Sequence, residues 1–247
     1  MAVRIPDWSL PNGVKAAFTD RLNGVSQGSY ASFNLSLDVG DDPEAVEHNR
    51  GLLQQALALP GQPCWLKQVH GCAVVNVGVA EFPQRPEADA SLSRDSGGVC
   101  AVLTADCLPV LLSDLSGSVI AAAHAGWRGL ADGVIEATIE SMNCRPQDLT
   151  VWLGPCIGPN TFYIGEDVRQ AFLKQDPSSD QGFVETNTKD QWLGDLQWLA
   201  RRRLEKQGVK QIAIERACTF SEPDTYYSFR RDNGVTGRMA SLIWFAV

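Results

Sequence analysis

Two apolar runs separated by a short polar segment form the clearest pattern in the chain. Residues 102–112 and 119–126 are rich in Val, Leu, Ile and Ala, and the segment between them has the composition of a turn. The pattern predicts two neighbouring antiparallel strands. A loop over 114–117 would place Ser113 opposite Ser118, and therefore Cys107 opposite His124.

This register matters because it brings a thiol next to an imidazole. Directly opposed side chains on one sheet face have Cβ atoms about 4.5–5.5 Å apart. From that spacing Cys107 and His124 can share one metal ion or one proton. A slip by one residue would send one of the two side chains to the other face of the sheet.

Helical patterns alternate irregularly with further strands. Asp42 and Pro43 match an N-cap and a first helical residue, and the helix is predicted over 43–57. Arg50 falls on the apolar stripe of this helix, so its guanidinium must reach solvent or meet an anion. Further helices are predicted over 130–142, 166–174 and 190–206.

The remaining apolar segments predict several short strands. Residues 64–79 alternate well enough for one or two strands, with His70 and Gly71 in the middle. Residues 226–230 and 239–245 are predicted as a hairpin across Asn233-Gly234. Because hairpin-like neighbours outnumber regular strand–helix alternation, we expect an α+β fold over residues 1–247. It should be a single domain of mixed, largely antiparallel sheets flanked by helices, a layered sandwich.

Composition and charge narrow the class of protein. The chain has 247 residues, 44% of them hydrophobic, and a net charge of −8, which disfavours a nucleic-acid surface. No apolar leader follows the first residues and no run is long enough to span a membrane, so we expect no membrane partner. Seven scattered Cys residues predict free thiols in the cytoplasm.

Histidine is scarce, which limits the possible metal sites. The three His residues are His48, His70 and His124. Two His and one Cys with one open position form a recognised catalytic zinc set, so His70, Cys107 and His124 are predicted ligands of one ion. Cys72 shares a strand face with His70 and competes with it as the third ligand, although packing is the more common role of such a cysteine.

The same residues also allow chemistry without a metal. Cys107 could act as a nucleophile whose thiolate is stabilised by His124, as in a hydrolase or amidase. Asp106 is not expected to orient His124, because it points to the opposite face of the strand from Cys107.

Gly126-Trp127-Arg128-Gly129 lies at a predicted strand-to-helix turn directly after His124. Backbone N–H groups at such a helix start, with Arg128 nearby, suit a phosphate or another anion. Arg128 and Arg50 are therefore the candidate anion-binding residues. Taken alone, the two glycines indicate no more than a turn, and Arg230, Arg231 and Arg238 are expected on the solvated surface.

Several segments together resemble the family of multicopper polyphenol oxidase or laccase-domain proteins. Its members are also described as purine nucleoside phosphorylases and peptidoglycan editing factors. The resemblance spans essentially the whole chain and includes WLKQVHG, EADA, TADCLPVLL, HAGWRG, WLGPCIGP, CTF and YYSFRRDNGVTGRMASLIW. It implies a mixed fold of sheets flanked by helices and a zinc site at His70, Cys107 and His124, with copper binding in vitro.

The resemblance also implies several activities. These are phosphorolysis of adenosine, inosine, guanosine and methylthioadenosine, deamination of adenosine, oxidation of phenols, and editing of peptidoglycan precursors. The expected small molecules are thus a purine nucleoside and phosphate, with a cell-wall precursor as an alternative. Three His residues cannot supply both a blue-copper centre and an oxygen-reducing copper cluster. Any phenol oxidation must therefore occur at the same single metal site.

Overall fold

The computed structural model describes residues 3–78 and 85–246. Its strands, in chain order, are β1 (Val3–Arg4), β2 (Val14–Thr19), β3 (Val74–Asn76), β4 (Ala90–Ser93), β5 (Val99–Thr104), β6 (Leu108–Asp114), β7 (Ile120–Ala125), β8 (Leu149–Leu153), β9 (Tyr163–Gly165), β10 (Phe183–Glu185), β11 (Gln191–Gly194), β12 (Gln211–Ile214) and β13 (Met239–Phe245). Its α-helices are α1 (Pro43–Leu57), α2 (Trp127–Asp132), α3 (Val134–Met142), α4 (Glu166–Gln175) and α5 (Leu196–Gln207).

Two sheets stacked face to face form the centre of the fold. One has the strand order β1-β2-β13-β5, and the other has the order β12-β8-β6-β7-β4-β3. Helix α1 covers the outer face of the first sheet, whereas α2, α3 and α5 cover the outer face of the second, and α4 packs against α2 and the strands β9 and β11. A small third sheet has the order β10-β11-β9. Most neighbouring strands are antiparallel, so the predicted α+β fold with layered sheets and flanking helices is confirmed.

The alternation of side chains along the strands explains this layering. In β13, Ala240 and Leu242 face the core beneath α1, while Met239 and Ile243 face the core between the sheets. Each sheet is therefore apolar on both faces, as buried strands require.

Local signals located the first helix correctly. Helix α1 spans Pro43–Leu57, and the Asp42 carboxylate accepts a hydrogen bond from the N–H of Glu44. Later helices differ from the prediction. Gly133, with φ of +105°, separates α2 from α3, and α5 begins only after Asp195, which caps it. Within the described residues, no helix is long and apolar enough to cross a membrane.

The apolar run over 102–112 is not one strand. Its first part ends β5 in one sheet and its last part forms β6 in the other. Residues 105–107 form the crossing between the sheets, and Asp106 adopts a φ of +87° there. The prediction of a single strand was wrong because no Gly, Pro or Asn marks this crossing.

The predicted register of β6 and β7 is also wrong, by two residues. Pro109 lies opposite His124, and the loop between the strands covers residues 115–118 instead of 114–117. Cys107 itself precedes β6. Because side chains alternate with a period of two, a slip of two residues leaves them on the same face. Cys107 and His124 therefore still approach each other.

Two further strand predictions need correction. His70 lies in a bend with φ of +62°, not in a strand, and only β3 forms a strand between residues 64 and 78. Val79, the predicted end of that stretch, lies outside the described residues. Residues 226–228 are irregular and a turn begins at Phe229, so no hairpin strand forms there, and β13 pairs with β2 and β5.

The loop between β6 and β7 is held by one carboxylate. Asp114 accepts hydrogen bonds from the N–H groups of Ser118 and Val119 at 2.6 and 2.9 Å, and from the hydroxyls of Ser116 and Ser118. Burial opposes the charged form, but these hydrogen bonds outweigh it and lower the pKa of Asp114. The ionised carboxylate thus fixes the turn that sets the register of the two strands.

We expect Asp114→Asn to lower the free energy of unfolding by about 1–3 kcal/mol at pH 7, as for loss of hydrogen bonds to a charged group. A carboxyl whose pKa is lowered by folding stabilises the protein above its unfolded pKa, near 4, and loses that effect as the pH falls through its folded pKa. The difference between wild type and variant should therefore shrink below pH 4. Urea denaturation at pH 7, 5 and 3.5 measures it, with the exposed Asp7→Asn as control. A difference independent of pH would contradict this assignment.

Candidate metal centre

Three side chains from separate segments converge between β6, β7 and the loop before β3. The donor atoms of His70, Cys107 and His124 all lie within 4.8 Å of one another. Cys107 Sγ is 3.9 Å from His70 Nε2, and the two imidazole rings meet edge to face with centroids 4.8 Å apart. His124 is buried, Cys107 is half-buried and His70 is exposed at the rim. The residues predicted from the sequence are thus brought together.

Cys107 is presented by the crossing between the two sheets. Asp106 precedes it, and its buried carboxylate accepts hydrogen bonds from Thr219 Oγ1 at 2.6 Å, Ser228 Oγ at 3.0 Å and the N–H of Arg230 at 2.7 Å. Its carbonyl accepts another from the N–H of Ile157 at 2.9 Å. These contacts stabilise a positive φ that a non-glycine residue seldom adopts. As predicted, the Asp106 side chain points away from the cluster.

Asp89 positions His70. One carboxylate oxygen accepts the N–H of His70 at 2.9 Å, and the other accepts the N–H groups of Val69 and Gly71 at 3.1 and 2.7 Å. Three consecutive backbone donors therefore converge on one fully buried carboxylate. This holds the His70 loop in place without help from a strand.

The same carboxylate orients His124. Asp89 Oδ1 lies 2.8 Å from His124 Nδ1, and the backbone N–H of His124 donates to the carbonyl of Asp89 at 2.7 Å. A carboxylate at Nδ1 fixes the tautomer in which Nε2 has a free lone pair for a ligand or a proton. The sequence analysis assigned no role to Asp89. Its only signal was an acidic residue between two alanines in the segment EADA.

The cluster is strongly polarised. Burial opposes a charged Cys107, but His124 and His70 outweigh it and lower the pKa of this thiol to about 6. Burial likewise opposes a charged His124, but Cys107 and Asp89 raise its pKa to about 9. At neutral pH the site therefore favours a thiolate next to a positive charge, the state in which cysteine binds metals or attacks electrophiles.

Two glycines of the segment after His124 leave space for this cluster. A Cβ on Gly126 would lie 2.7 Å from His70 Cδ2 and 3.1 Å from Cys107 Sγ. A Cβ on Gly129 would lie 2.9 Å from the carbonyl oxygen of Gly71. The glycines thus serve close packing. Helix α2 has only six residues, so the backbone N–H groups at its start form a weaker anion-binding site than predicted.

The cluster opens into a cavity of about 370 Å³. Three arginines, Arg128, Arg230 and Arg238, line it together with two acidic residues, Asp38 and Asp106. Arg128 is exposed and lies over the Trp127 ring, as expected for a residue near the site. Arg230, Arg231 and Arg238 were expected on the solvated surface. Arg230 is exposed as expected, but Arg231 and Arg238 are half-buried, so the expectation was wrong for these two. The chain from 226 to 238 is irregular or in turns instead of a hairpin, which the sequence did not predict.

Two other candidates lie elsewhere. Arg50 does not line the cavity; its guanidinium donates to the carbonyl of Leu35, contacts Glu47 and stacks on Trp65. Cys72 points to the carbonyl of Gly129 with a long contact of 3.7 Å and is not part of the cluster.

The donor set fits a single soft or borderline metal ion. Two imidazoles and one thiolate match three-ligand zinc sites that keep one position open. Within residues 3–78 and 85–246, no second group of His, Cys, Asp and Glu side chains comes close enough to hold a metal. The remaining histidine, His48, is exposed on α1. The three histidines of the full sequence, of which only two meet at one site in the described residues, are too few for a cluster of several copper ions.

Comparisons with known proteins find relatives over nearly the whole length of the chain. A family model described as multi-copper polyphenol oxidoreductase laccase matches residues 15–246. The Escherichia coli protein named purine nucleoside phosphorylase YfiH is 46% identical over 97% of both chains. A purine nucleoside phosphorylase of Pseudomonas aeruginosa is also 46% identical, over 97% of this chain and 96% of its own.

Solved structures share the whole fold. A Neisseria meningitidis protein has a TM-score of 0.94 at 46% identity and covers 100% of both chains. YlmD from Geobacillus stearothermophilus has a TM-score of 0.90 at 31% identity and covers 96% of this chain and 93% of its own.

We expect Asp89→Asn to weaken zinc binding about 10–100-fold, the usual effect of removing the partner of a ligating histidine. The amide keeps the size of the side chain but offers only one acceptor oxygen to four donors. Competition with a chromophoric chelator measures the affinity, and circular dichroism checks the fold. Asp7→Asn, an exposed site, is the control. Unchanged zinc affinity in folded Asp89→Asn would contradict the positioning role.

We also expect Gly126→Ala to lower zinc affinity while the fold is retained. The backbone at Gly126, with φ of −63° and ψ of 157°, tolerates alanine, so the effect should come from displacement of His70 and Cys107. Gly51→Ala on α1, where an added Cβ meets nothing within 4 Å, is the matched control. Equal zinc affinities in the two variants would show that the space beside Gly126 is not needed.

Proposed function

The chain belongs to the multi-copper polyphenol oxidoreductase laccase family, and we propose that it is a purine nucleoside phosphorylase that uses one zinc ion. His70, Cys107 and His124 would hold the ion, and the cavity above them would bind a purine nucleoside and phosphate. The position of the His–Cys–His cluster in the wall of a cavity that is also lined by three arginines carries this proposal. Relatives named purine nucleoside phosphorylase support it.

Phosphorolysis requires a phosphate held against the ribose. An oxygen of phosphate bonds to C1′ while the bond from C1′ to the purine nitrogen breaks, and the base leaves. Guanidinium groups bind phosphate by paired, charge-assisted hydrogen bonds. Arg238 is half-buried and anchored through Nη1 to the carbonyls of Thr236 and Gly237, so its other nitrogens remain for the cavity. Arg128 and Arg230 at the rim add positive charge.

Apolar groups in the same cavity suit the nucleoside. Trp127, Phe162 and Phe229 line it, and Phe229 is 51% exposed although it is a large aromatic side chain. An exposed ring beside polar groups is a surface on which a planar base can stack. When bound, zinc supplies a Lewis acid next to the substrate. The residues of the chain bind and orient the two reactants.

The family name describes a chemistry that this chain is poorly equipped to perform. Oxidases with several copper ions need more histidines than the three present here. Laccase-like oxidation of phenols is therefore a secondary proposal, restricted to copper taken up at the same three ligands. Adenosine deamination and the editing of a cell-wall precursor would likewise have to use this one cavity.

We expect Cys107→Ala to lose its zinc and its phosphorolytic turnover together. The loss should exceed the roughly 10–100-fold effect typical when only a ligand's hydrogen-bond partner is removed. Elemental analysis measures zinc, and release of purine base from adenosine, inosine, guanosine and methylthioadenosine is followed with and without phosphate. Cys144→Ala, at a half-buried thiol outside the cavity, is the control.

The substrate panel separates the candidate activities. Base release that requires phosphate supports phosphorolysis, whereas inosine formed from adenosine without phosphate indicates deamination. Competition by a cell-wall precursor against adenosine would favour the editing role. Full phosphorolysis by zinc-free Cys107→Ala would refute the proposed metal chemistry.

A specific observation favours a second candidate, a metal-free thiol hydrolase or amidase. Asp89, His124 and Cys107 form a connected series in which the carboxylate meets one ring nitrogen and the thiol pKa is lowered to about 6. This is the arrangement of a nucleophile, a base and an orienting acid. Covalent inactivation by a thiol reagent in zinc-free, catalytically active protein would support it. One zinc per chain after stringent purification would argue against it.

A further inference from the structure

Two cysteines outside the metal centre lie side by side. Cys156 and Cys218 form an isolated parallel β-bridge, and the N–H of Thr219 donates to the carbonyl of Cys156 at 3.0 Å. Paired parallel segments run about 4.8 Å apart, and directly paired residues point to the same side. This spacing falls within the range of roughly 4.4–6.8 Å between Cα atoms that a disulfide spans.

The surroundings of Cys218 favour its thiolate. The N–H of Gly158 lies 3.2 Å from Cys218 Sγ, and the hydroxyl of Thr161 lies 3.5 Å from it. Burial opposes the charged form, but hydrogen bonds from Ser221, Thr161 and Gly158 outweigh it and lower the pKa of Cys218. Apart from Cys107 in the metal centre, burial raises the pKa of every other cysteine.

A small molecule can reach this thiol. Cys218 is half-buried, and together with Cys156 it lines a second cavity of about 240 Å³. Cys156 is buried beneath it, with only 3% of its surface exposed. An accessible, stabilised thiolate next to a shielded thiol is the usual arrangement of a reactive cysteine and its resolving partner.

We propose that Cys218 is an oxidation site for hydroperoxides and that Cys156 resolves it to a disulfide. The Cys218 thiolate attacks one oxygen of hydrogen peroxide, the O–O bond breaks, and a sulfenic acid and hydroxide are formed. The hydroxide takes up the proton that the Cys218 thiol released on ionisation and becomes water. The Cys156 sulfur then attacks the Cys218 sulfur, the S–O bond breaks, and a second water leaves with the proton of Cys156. Two thiols lose two electrons and two protons, and the peroxide is reduced to two waters.

The disulfide would adjoin the turn that presents Cys107. Ile157, next to Cys156, donates its N–H to the Asp106 carbonyl, and Thr219, next to Cys218, donates its hydroxyl to the Asp106 carboxylate. Ile157 also lines the metal cavity. Oxidation therefore crosslinks two of the segments that bind Asp106. The oxidation state of Cys156 and Cys218 would thereby affect the turn that positions Cys107, a property beyond the proposed function.

The test treats zinc-loaded protein with hydrogen peroxide and maps its peptides by mass spectrometry without reduction. We expect one disulfide between Cys156 and Cys218 that dithiothreitol reverses. In Cys156→Ala, a dimedone adduct should accumulate on Cys218 because no partner resolves the sulfenic acid. Cys144→Ala, whose half-buried thiol lies outside this cavity, should form the disulfide like the wild type.

The wild-type map decides the proposal even if Cys156→Ala does not fold. Cys218 left unmodified while other cysteines oxidise would overturn it, and so would a persistent Cys218 sulfenic acid without a disulfide. Since peptide masses are read without any substrate, these results are independent of whether the protein acts as a phosphorylase.

Discussion

The candidate site depends on one buried carboxylate. Asp89 is fully buried, and each of its oxygens accepts two hydrogen bonds, from the backbone of Val69, His70 and Gly71 and from the His124 ring. Removing a carboxylate from water costs several kcal/mol unless its lone pairs are satisfied. Here about four acceptor positions meet four donors. Because no position is left over, Asp89 orients two ligands without being one itself.

This carboxylate also sets the electrostatics of the cluster. A negative charge behind His124 favours a positive charge in front of it, and the thiolate of Cys107 favours the same. In the absence of metal a proton on His124 satisfies both anions. A divalent cation between the donors would replace that proton and be held by the same field. The lowered pKa of Cys107 and the fit to a metal are thus two results of one charge arrangement.

The sequence correctly predicted those features of the fold that depend on local signals. The bounds of α1 follow from Asp42, Pro43 and a regular apolar stripe, and the layered fold follows from alternating apolar strands. Sheet pairing across long stretches of chain gave no such signal. The predicted hairpin is absent because β13 pairs with β2 and β5, which lie far away in the sequence, and residues 226–230 are left as irregular chain and a turn.

The sequence correctly predicted that Cys107 and His124 lie close together, but it did so from a strand register that is wrong. Cys107 approaches His124 although the register is shifted by two residues, since such a shift preserves the sheet face. The two side chains therefore approach each other despite the wrong register, whereas a shift of one residue would have placed them on opposite faces of the sheet. Asp89 and the cavity arginines were missed because their roles depend on loops whose shape no short motif encodes.

Two ligands of the candidate centre, His70 and Cys107, lie at strained turns. His70 and Asp106 have φ values of +62° and +87°, a conformation that costs non-glycine residues about 1–3 kcal/mol. Each turn is held by a buried carboxylate. Asp89 accepts the N–H of His70, and the side chain of Asp106, which directly precedes Cys107, accepts the N–H of Arg230. The affinity of the site for an ion should therefore depend on the integrity of these two carboxylate-held turns, because each turn positions one of the donors.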